Sequence, residues 1–469
     1  MIDHFFSHPQ SQSWIRWLII TAVFLLSALI AVNVRGLSIY MMVAILGLLG
    51  ILFLLRFPQL GLFALLIVAM IVPFQLGTGT NVSLNAAFLF CPLLIGLWLF
   101  RDFLLKKNPT TYRSRTFIPL LGLSITTLLS FISAQLPWVP FAGTASIPAQ
   151  LGGLMIFLFS AGIFILTAHQ VTEIKWLKWL VWLFLFFAGV YLLRGLIPDL
   201  AIIPIRLTPG ATGSVFWIWL VSLSFSQAFF NRKLDIRIRL ILGIMAAAAL
   251  YIGYFRALGW ASGWLPPVIA FLAILAARKP AVFLPILIIF LGFIYFNLDT
   301  IIENQIFGDQ EYSLLTRLEA YSIVLELSKA NPVLGLGPAN YRFYTPLIPI
   351  LGYYINFNSH NQYIDLIAQT GFLGLGFFLW FFAEVSLIAW NIKDRVSRGG
   401  FRYAFAFGAI GGIAGMLASG MLGDWVLPFV YNIGIPGFRA SIFGWVFLGG
   451  LVAIERLLGV EKNAPQENS

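Results

Sequence analysis

Runs of about eighteen or more apolar residues recur along nearly the whole chain, each long enough to cross roughly 30 Å of hydrocarbon as a helix. In order they cover 14–34, 38–55, 58–75, 82–100, 117–134, 149–168, 176–193, 211–230, 239–255, 262–277, 281–298, 366–390, 403–422 and 439–455. Inside a bilayer no water is available to the backbone, so such runs must satisfy their own N–H and C=O groups, and helices do that within one segment. Composition agrees: 60% of the residues are hydrophobic and 10% are charged, against roughly a quarter charged in soluble domains. The expected fold is all-α, a polytopic helical membrane protein of about 12–14 transmembrane helices. Re-entrant pieces would lower the count to about ten or twelve. The first run has no small-residue cleavage pattern after it and is followed at once by another, so it reads as a retained span.

Lysine and arginine give an expected orientation. The clusters Arg101/Lys106/Lys107/Arg113/Arg115, Lys175/Lys178, Arg232/Lys233/Arg237/Arg239, Arg278/Lys279 and Lys393/Arg395/Arg398/Arg402 all fall on one side of these runs, together with both termini. That side is expected to be cytoplasmic. The net charge of +11 is then a topology signal and not a nucleic-acid footprint, because no basic face interleaved with stacking aromatics is present. Cys91 is the sole cysteine and lies in an apolar run, which excludes an intramolecular disulfide and a cysteine-based zinc site.

The expected organisation is a set of N-terminal transmembrane helices over 1–298, one large extracytoplasmic loop over 299–365, C-terminal transmembrane helices over 366–460 and a polar disordered tail over 461–469. Within the loop, Leu314 to Lys329 places Leu314, Leu315, Leu318, Tyr321, Ile323, Val324 and Leu327 at helical spacing, an amphipathic helix ended by Asn331-Pro332. Gly335, Gly337 and Pro338 follow as a tight turn. His360 falls just before the next span, with Asp365 one helical turn further on. The loop is expected to lie on the membrane as a lid over the bundle.

The order Arg317…Asn331-Pro332-x-Leu334-Gly335-x-Gly337-Pro338-x-Asn340-Tyr341, then Ser359-His360-Asn361-x-Tyr363…Gly371-Phe372-Leu373-Gly374, resembles the O-antigen ligase/polymerase superfamily. That resemblance implies an integral-membrane glycosyltransferase of the bacterial envelope, acting at the outer face of the cytoplasmic membrane. Its donor would be a polyprenyl-diphosphate-linked glycan, and its acceptor a hydroxyl of a glycan, lipid or protein. In that family an arginine within a Ser-Arg sequence is implicated in the diphosphate site. Arg256 stands at the corresponding place, with Phe255 where the serine would be. A further departure is Gln369-Thr370 where an acidic residue is common.

Chemistry supports the same residues. Outside the cytoplasm no nucleotide sugar is available, so a donor must arrive activated, and a diphosphate is a good leaving group. Arginine binds phosphate oxygens bidentately and stays charged at any depth, which makes Arg206, Arg256 and Arg317 the expected clamp. Each has a plain alternative as a snorkelling or solvated arginine, and Arg317 can pair with Glu319 or Glu311. His360 is the expected general base or acceptor-positioning group, against a loop histidine that merely caps the next helix. Asn361 can orient the ring, bind sugar or act as an N-cap. Asp365 can hold His360 or simply sit in a first helical turn. Asn340, Tyr341, Tyr344 and Tyr363 are candidate sugar contacts. Neither His-Glu-x-x-His nor Asp-x-Asp occurs, so no metal and no cofactor are expected, and a single base-assisted displacement would invert the anomeric centre. The competing functions are a repeat-unit polymerase, which breaks the same bond, and a flippase for the same lipid. Matched broken helices in two halves would favour the flippase, and none is visible.

Overall fold

The computed structural model describes residues 37–77, 83–105, 112–197, 213–256, 260–299 and 314–463. The chain divides into two units, Met1–Gly61 with Leu93–Thr111, and Leu62–Pro92 with Tyr112–Ser469. Helix α1 (Leu37–Arg56) belongs to the first, while α2 (Gln59–Ile71) and α3 (Ala86–Leu99) have residues in both. A π-helical turn, Phe100–Leu105, continues α3, and there the Trp98 indole donates to Asp102 at 3.1 Å. The expected first span, 14–34, lies outside the described residues.

The second unit holds α4 (Phe117–Ser133), α5 (Ile147–Gln170), α6 (Ile174–Leu196), α7 (Ser214–Phe230), α8 (Ile236–Arg256), α9 (Ala261–Arg278), α10 (Pro280–Phe296), α11 (Leu314–Ser328), α12 (Gln362–Arg395), α13 (Phe401–Leu422) and α14 (Gly434–Asn463). Seven described helices are long and apolar enough to cross a membrane, and five shorter apolar helices accompany them. The protein is an all-α, polytopic membrane protein. The described strand content is one small antiparallel pair, Gln75–Gly77 with Ser83–Asn85, in the register Leu76 opposite Leu84. Helix α14 continues to Asn463, past the expected start of the tail, and the residues after it lie outside the described set.

Helix α7 is the axis of this unit: every residue except Phe229 is buried. Its neighbour α13 approaches it through glycines spaced four apart. A Cβ on Gly408 would lie 2.7 Å from Ser226 Oγ, and one on Gly412 would lie 2.7 Å from the Trp219 ring. The offset pair Gly411 and Gly415 does the same against Ile274 of α9 and Ile218 of α7. Small residues at this spacing let helices close in where lipid supplies no hydrophobic drive between them. By contrast α10, more apolar still, buries none of its residues; hydrocarbon can solvate it as well as protein can.

Helix α11 departs from the expected single apolar face. Ala320, Ile323, Val324 and Leu327 are buried against Leu336, Tyr341, Tyr344 and Ala368, while Leu315, Leu318 and Leu325 form an exposed second stripe. Leu315 and Leu318 therefore do not serve the core.

Helix α12 starts at Gln362, earlier than the apolar run suggests, because Asn361 caps it. The Asn361 side chain accepts from the Tyr363 and Ile364 amides at 2.9 and 3.3 Å. The helix is broken at Gly371 (φ 69°, ψ −176°). The turn after α11 inserts there: Leu336 N donates to Ala368 O at 2.7 Å, Gly337 N to Gln369 O at 3.2 Å, and Phe372 N to Pro332 O at 2.9 Å. Backbone groups freed by the kink are thus satisfied by a second stretch of backbone, as a break at membrane depth requires. Glycine is obligatory on both sides of this contact. A Cβ on Gly335 would lie 2.6 Å from Gly371 N, and one on Gly371 would lie 2.0 Å from Val333 O.

Candidate active site

The segment 358–365 that leads into α12 is held from both sides of His360. Ser359 Oγ donates to Asp365 Oδ1 at 2.7 Å, and the Asn361 amide donates to Ser359 Oγ at 3.1 Å. The Tyr341 hydroxyl donates to the same Asp365 oxygen at 2.5 Å and accepts from Ser359 N at 3.2 Å. Tyr341, Ser359 and Asp365 are all fully buried. Burial, then the adjacent Asp365 carboxyl, push the Tyr341 phenol well above its usual range, so it remains a donor. The Tyr341 ring stacks on Phe429, with centroids 4.6 Å apart. The loop carrying Phe429 is itself folded around Asp424, whose carboxyl accepts from Phe429 N and Asn432 Nδ2. Burial raises Asp424 to about 6.

His360 has φ +51°, a left-handed conformation rare for side chains other than glycine and costing roughly 1–2 kcal/mol. The bonds on Ser359 and Asn361 hold it there. Strain of this kind at a polar, half-buried residue is an observation from which function can be inferred. Burial, then the positive charges of Arg317 and Arg342, lower the imidazole pKa from 6.5 to about 4, so the ring is neutral at neutral pH. This is well below the value near working pH that a base was expected to have.

Two cations therefore act on His360 through their charge. Arg317, on α11, is half-buried, and its Nε is buried without a hydrogen-bond partner. Its expected alternative partner Glu319 instead accepts from Leu351 N at 3.2 Å, and Glu311 lies outside the described residues. Arg342 donates to Asn358 Oδ1 at 3.0 Å and lies over the Tyr431 ring at 5.7 Å. It also lines a cavity of about 330 Å³ together with Asn356, Tyr431 and Asn432. Among the described residues neither arginine makes an ion pair.

Residues 207–379 match the family model described as O-antigen ligase. The matched stretch is less than half of the chain, and over it the chain is similar to the O-antigen ligase family. No curated protein matches the chain. The matched segment contains His360, Arg317, Arg342 and Arg256 and begins one residue after Arg206.

Several expected site residues are placed elsewhere by the geometry. Asn340 is fully buried and cannot reach a sugar: its amide donates to Leu336 O and its carbonyl accepts from Ala145 N, both at 3.0 Å. Tyr341 and Tyr344 are likewise buried. The Tyr363 hydroxyl is used by Leu417 O at 2.7 Å, and the Asn361 side chain by the helix start. Asp365 binds Tyr341 and Ser359, and its Oδ2 has no hydrogen-bond partner; it positions the backbone around His360 and does not hold the ring. Arg206 lies outside the described residues. Arg256 closes α8, and its side chain lies outside them too. Sequence reasoning passed over Arg342 as a site residue; its place in the expected extracytoplasmic loop, where basic residues are depleted, is the signal that could have found it.

Proposed function

We propose that the chain transfers a glycan from a polyprenyl-diphosphate donor to an acceptor hydroxyl at the outer face of a bacterial cytoplasmic membrane, with the basic end of the bundle and both termini on the cytoplasmic side. The observation that carries this reading is a neutral, strained histidine under the charge of two arginines that make no ion pair among the described residues. In the step, the acceptor hydroxyl oxygen attacks the anomeric carbon and passes its proton to the His360 imidazole. The bond from the anomeric carbon to the diphosphate oxygen breaks, and polyprenyl diphosphate leaves with the electron pair. Arg317 and Arg342, with Arg206 and Arg256 as further candidates, would receive the charge that develops on that oxygen. One displacement inverts the anomeric centre and uses no metal.

The low pKa of His360 gains a role in this scheme. A bound diphosphate offsets the two arginine charges and raises the pKa of the imidazole, so the base becomes competent when the donor is in place. Nothing in the geometry separates ligase from polymerase, since both break this bond; the ligase reading follows the family description.

The test is a reconstituted assay with purified protein and a polyprenyl-diphosphate oligosaccharide, without nucleotide or metal. Wild type is expected to release polyprenyl diphosphate, and His360→Ala is expected to lose release while keeping its unfolding midpoint. Full activity of His360→Ala would remove the histidine from the step. Protein-dependent movement of the lipid between leaflets without release would make the protein a flippase.

A further inference from the structure

At the far end of α12 from His360 lies a second cleft that the proposed transfer does not use. The stretch of α12 after Gly371 alone rises roughly 35 Å at 1.5 Å per residue, so the two sites face opposite sides of a bilayer. This cleft has a volume of about 480 Å³ and is framed by the ends of α7, α9 and α10 and the turn before α13.

Its composition divides in two. The rim carries four cations, Arg232, Arg278, Lys279 and Arg398. None makes an ion pair with a described carboxylate; the nearby Asp394 is taken by Lys393 at 2.8 Å and Asp235 by the Arg237 amide. The floor is apolar, with Phe225, Phe229 and Phe271 in contact at centroid distances of 4.6 and 4.9 Å. The outer wall is Val282 and Ile286 of α10, the helix that buries no residue, so the floor is continuous with hydrocarbon.

Arg278 adds an independent sign of a ligand. Its guanidinium sits over the Tyr403 ring at 5.6 Å, and its Nε is buried without an acceptor. A buried donor left unsatisfied is costly unless something arrives to accept. The rim is also pre-set: Lys233 N donates to Gly399 O at 3.3 Å, tying the turn before α13 to the loop after α7.

We propose that this cleft binds an anionic phospholipid, with the phosphate on Arg278 inside the ring of Arg232, Lys279 and Arg398, and an acyl chain along Phe229, Phe271 and Ile286. Charge complementarity selects an anionic headgroup, and the apolar floor opening to the bilayer selects a lipid over a free anion. The binding is independent of glycan transfer and of the role of His360.

The experiment is native mass spectrometry of the full chain released from nanodiscs of equimolar phosphatidylglycerol and phosphatidylcholine. Retained phosphatidylglycerol is expected, falling roughly fivefold in Arg278→Gln and comparably in the exposed Arg398→Gln. Arg237→Gln, a cation on the same side but outside the cleft, is expected to leave retention unchanged. Phe229→Ser, at a half-exposed position, is expected to weaken retention with all charges intact. Equal retention of the two lipids would overturn the proposal, as would equal losses in Arg278→Gln and Arg237→Gln. Competition by inorganic phosphate with no effect of Phe229→Ser would also overturn it, because the site would then be an anion site without a lipid chain.

Discussion

The interface of α13 with α7 and the interlock between the 331–338 turn and the kink in α12 are both built on glycine, yet they respond to crowding in different ways. At the first, an added Cβ meets a side chain first: the Trp219 ring at Gly412 and the Ser226 hydroxyl at Gly408. At the second it meets main chain, Val333 O at Gly371 and Gly371 N at Gly335. A side chain can shift by rotating about its own bonds. Main chain hydrogen-bonded on both sides cannot move without opening the kink. The bundle is therefore close-packed but adjustable, whereas the segment that presents His360 rests on a contact with no slack.

Gly371→Ala should break that contrast most visibly. It combines a left-handed backbone with a collision against Val333 O, and the expected loss is about 4 kcal/mol of folding stability, read as a lower unfolding midpoint in detergent with transfer abolished. Near-wild-type stability would show that the turn and the kink can part cheaply. Asp365→Ala tests the same scaffold without crowding it. It leaves the buried Tyr341 hydroxyl without its acceptor, at about 1–3 kcal/mol, while Ser359 Oγ can still donate to Asn361 O at 3.0 Å, and it should lower the turnover number more than it raises KM. An unchanged turnover number would remove Asp365 as a positioning residue. Gly412→Ala should cost less, about 1–2 kcal/mol, because the Trp219 ring can yield. Transfer should survive in the fraction that remains folded.

The contrast also separates what was legible from what was not. The helices were legible, because apolar runs of spanning length have few other fates. Burial was not: α10 is the more apolar of the two, yet α7 is enclosed and α10 is bare. In lipid the usual link between hydrophobicity and burial is lost. The motif letters 331–338, 359–363 and 371–374 marked the candidate site, but their roles could not be read from residue type. Asn340 and Tyr363 are polar groups of the kind that bind sugars, and each is consumed by a backbone partner. Arg342 was set aside although its charge reaches His360. Only the three-dimensional pairing of donors with acceptors distinguishes a scaffold polar group from a site one.

The smallest expected effect concerns the electrostatics that the interlock holds in place. A positive neighbour disfavours the imidazolium, and burial does the same, which is why His360 lies near 4 and not near 6.5. If the neutral imidazole is the base, kcat/KM, which reports the free enzyme, should stay level from neutral pH downward and fall only toward pH 4. The limb in kcat should lie at higher pH, since the bound diphosphate cancels part of the arginine charge. Arg317→Gln removes one of the two cations and should move the kcat/KM limb upward, toward but not reaching 6.5, because burial is the larger cause and remains. A limb near 6.5 in wild type, unmoved by Arg317→Gln, would show that another group titrates and that the arginines act on the leaving group alone. A limb that moves while Gly412→Ala leaves it fixed would tie the site's chemistry to the rigid segment and not to the helix packing beside it.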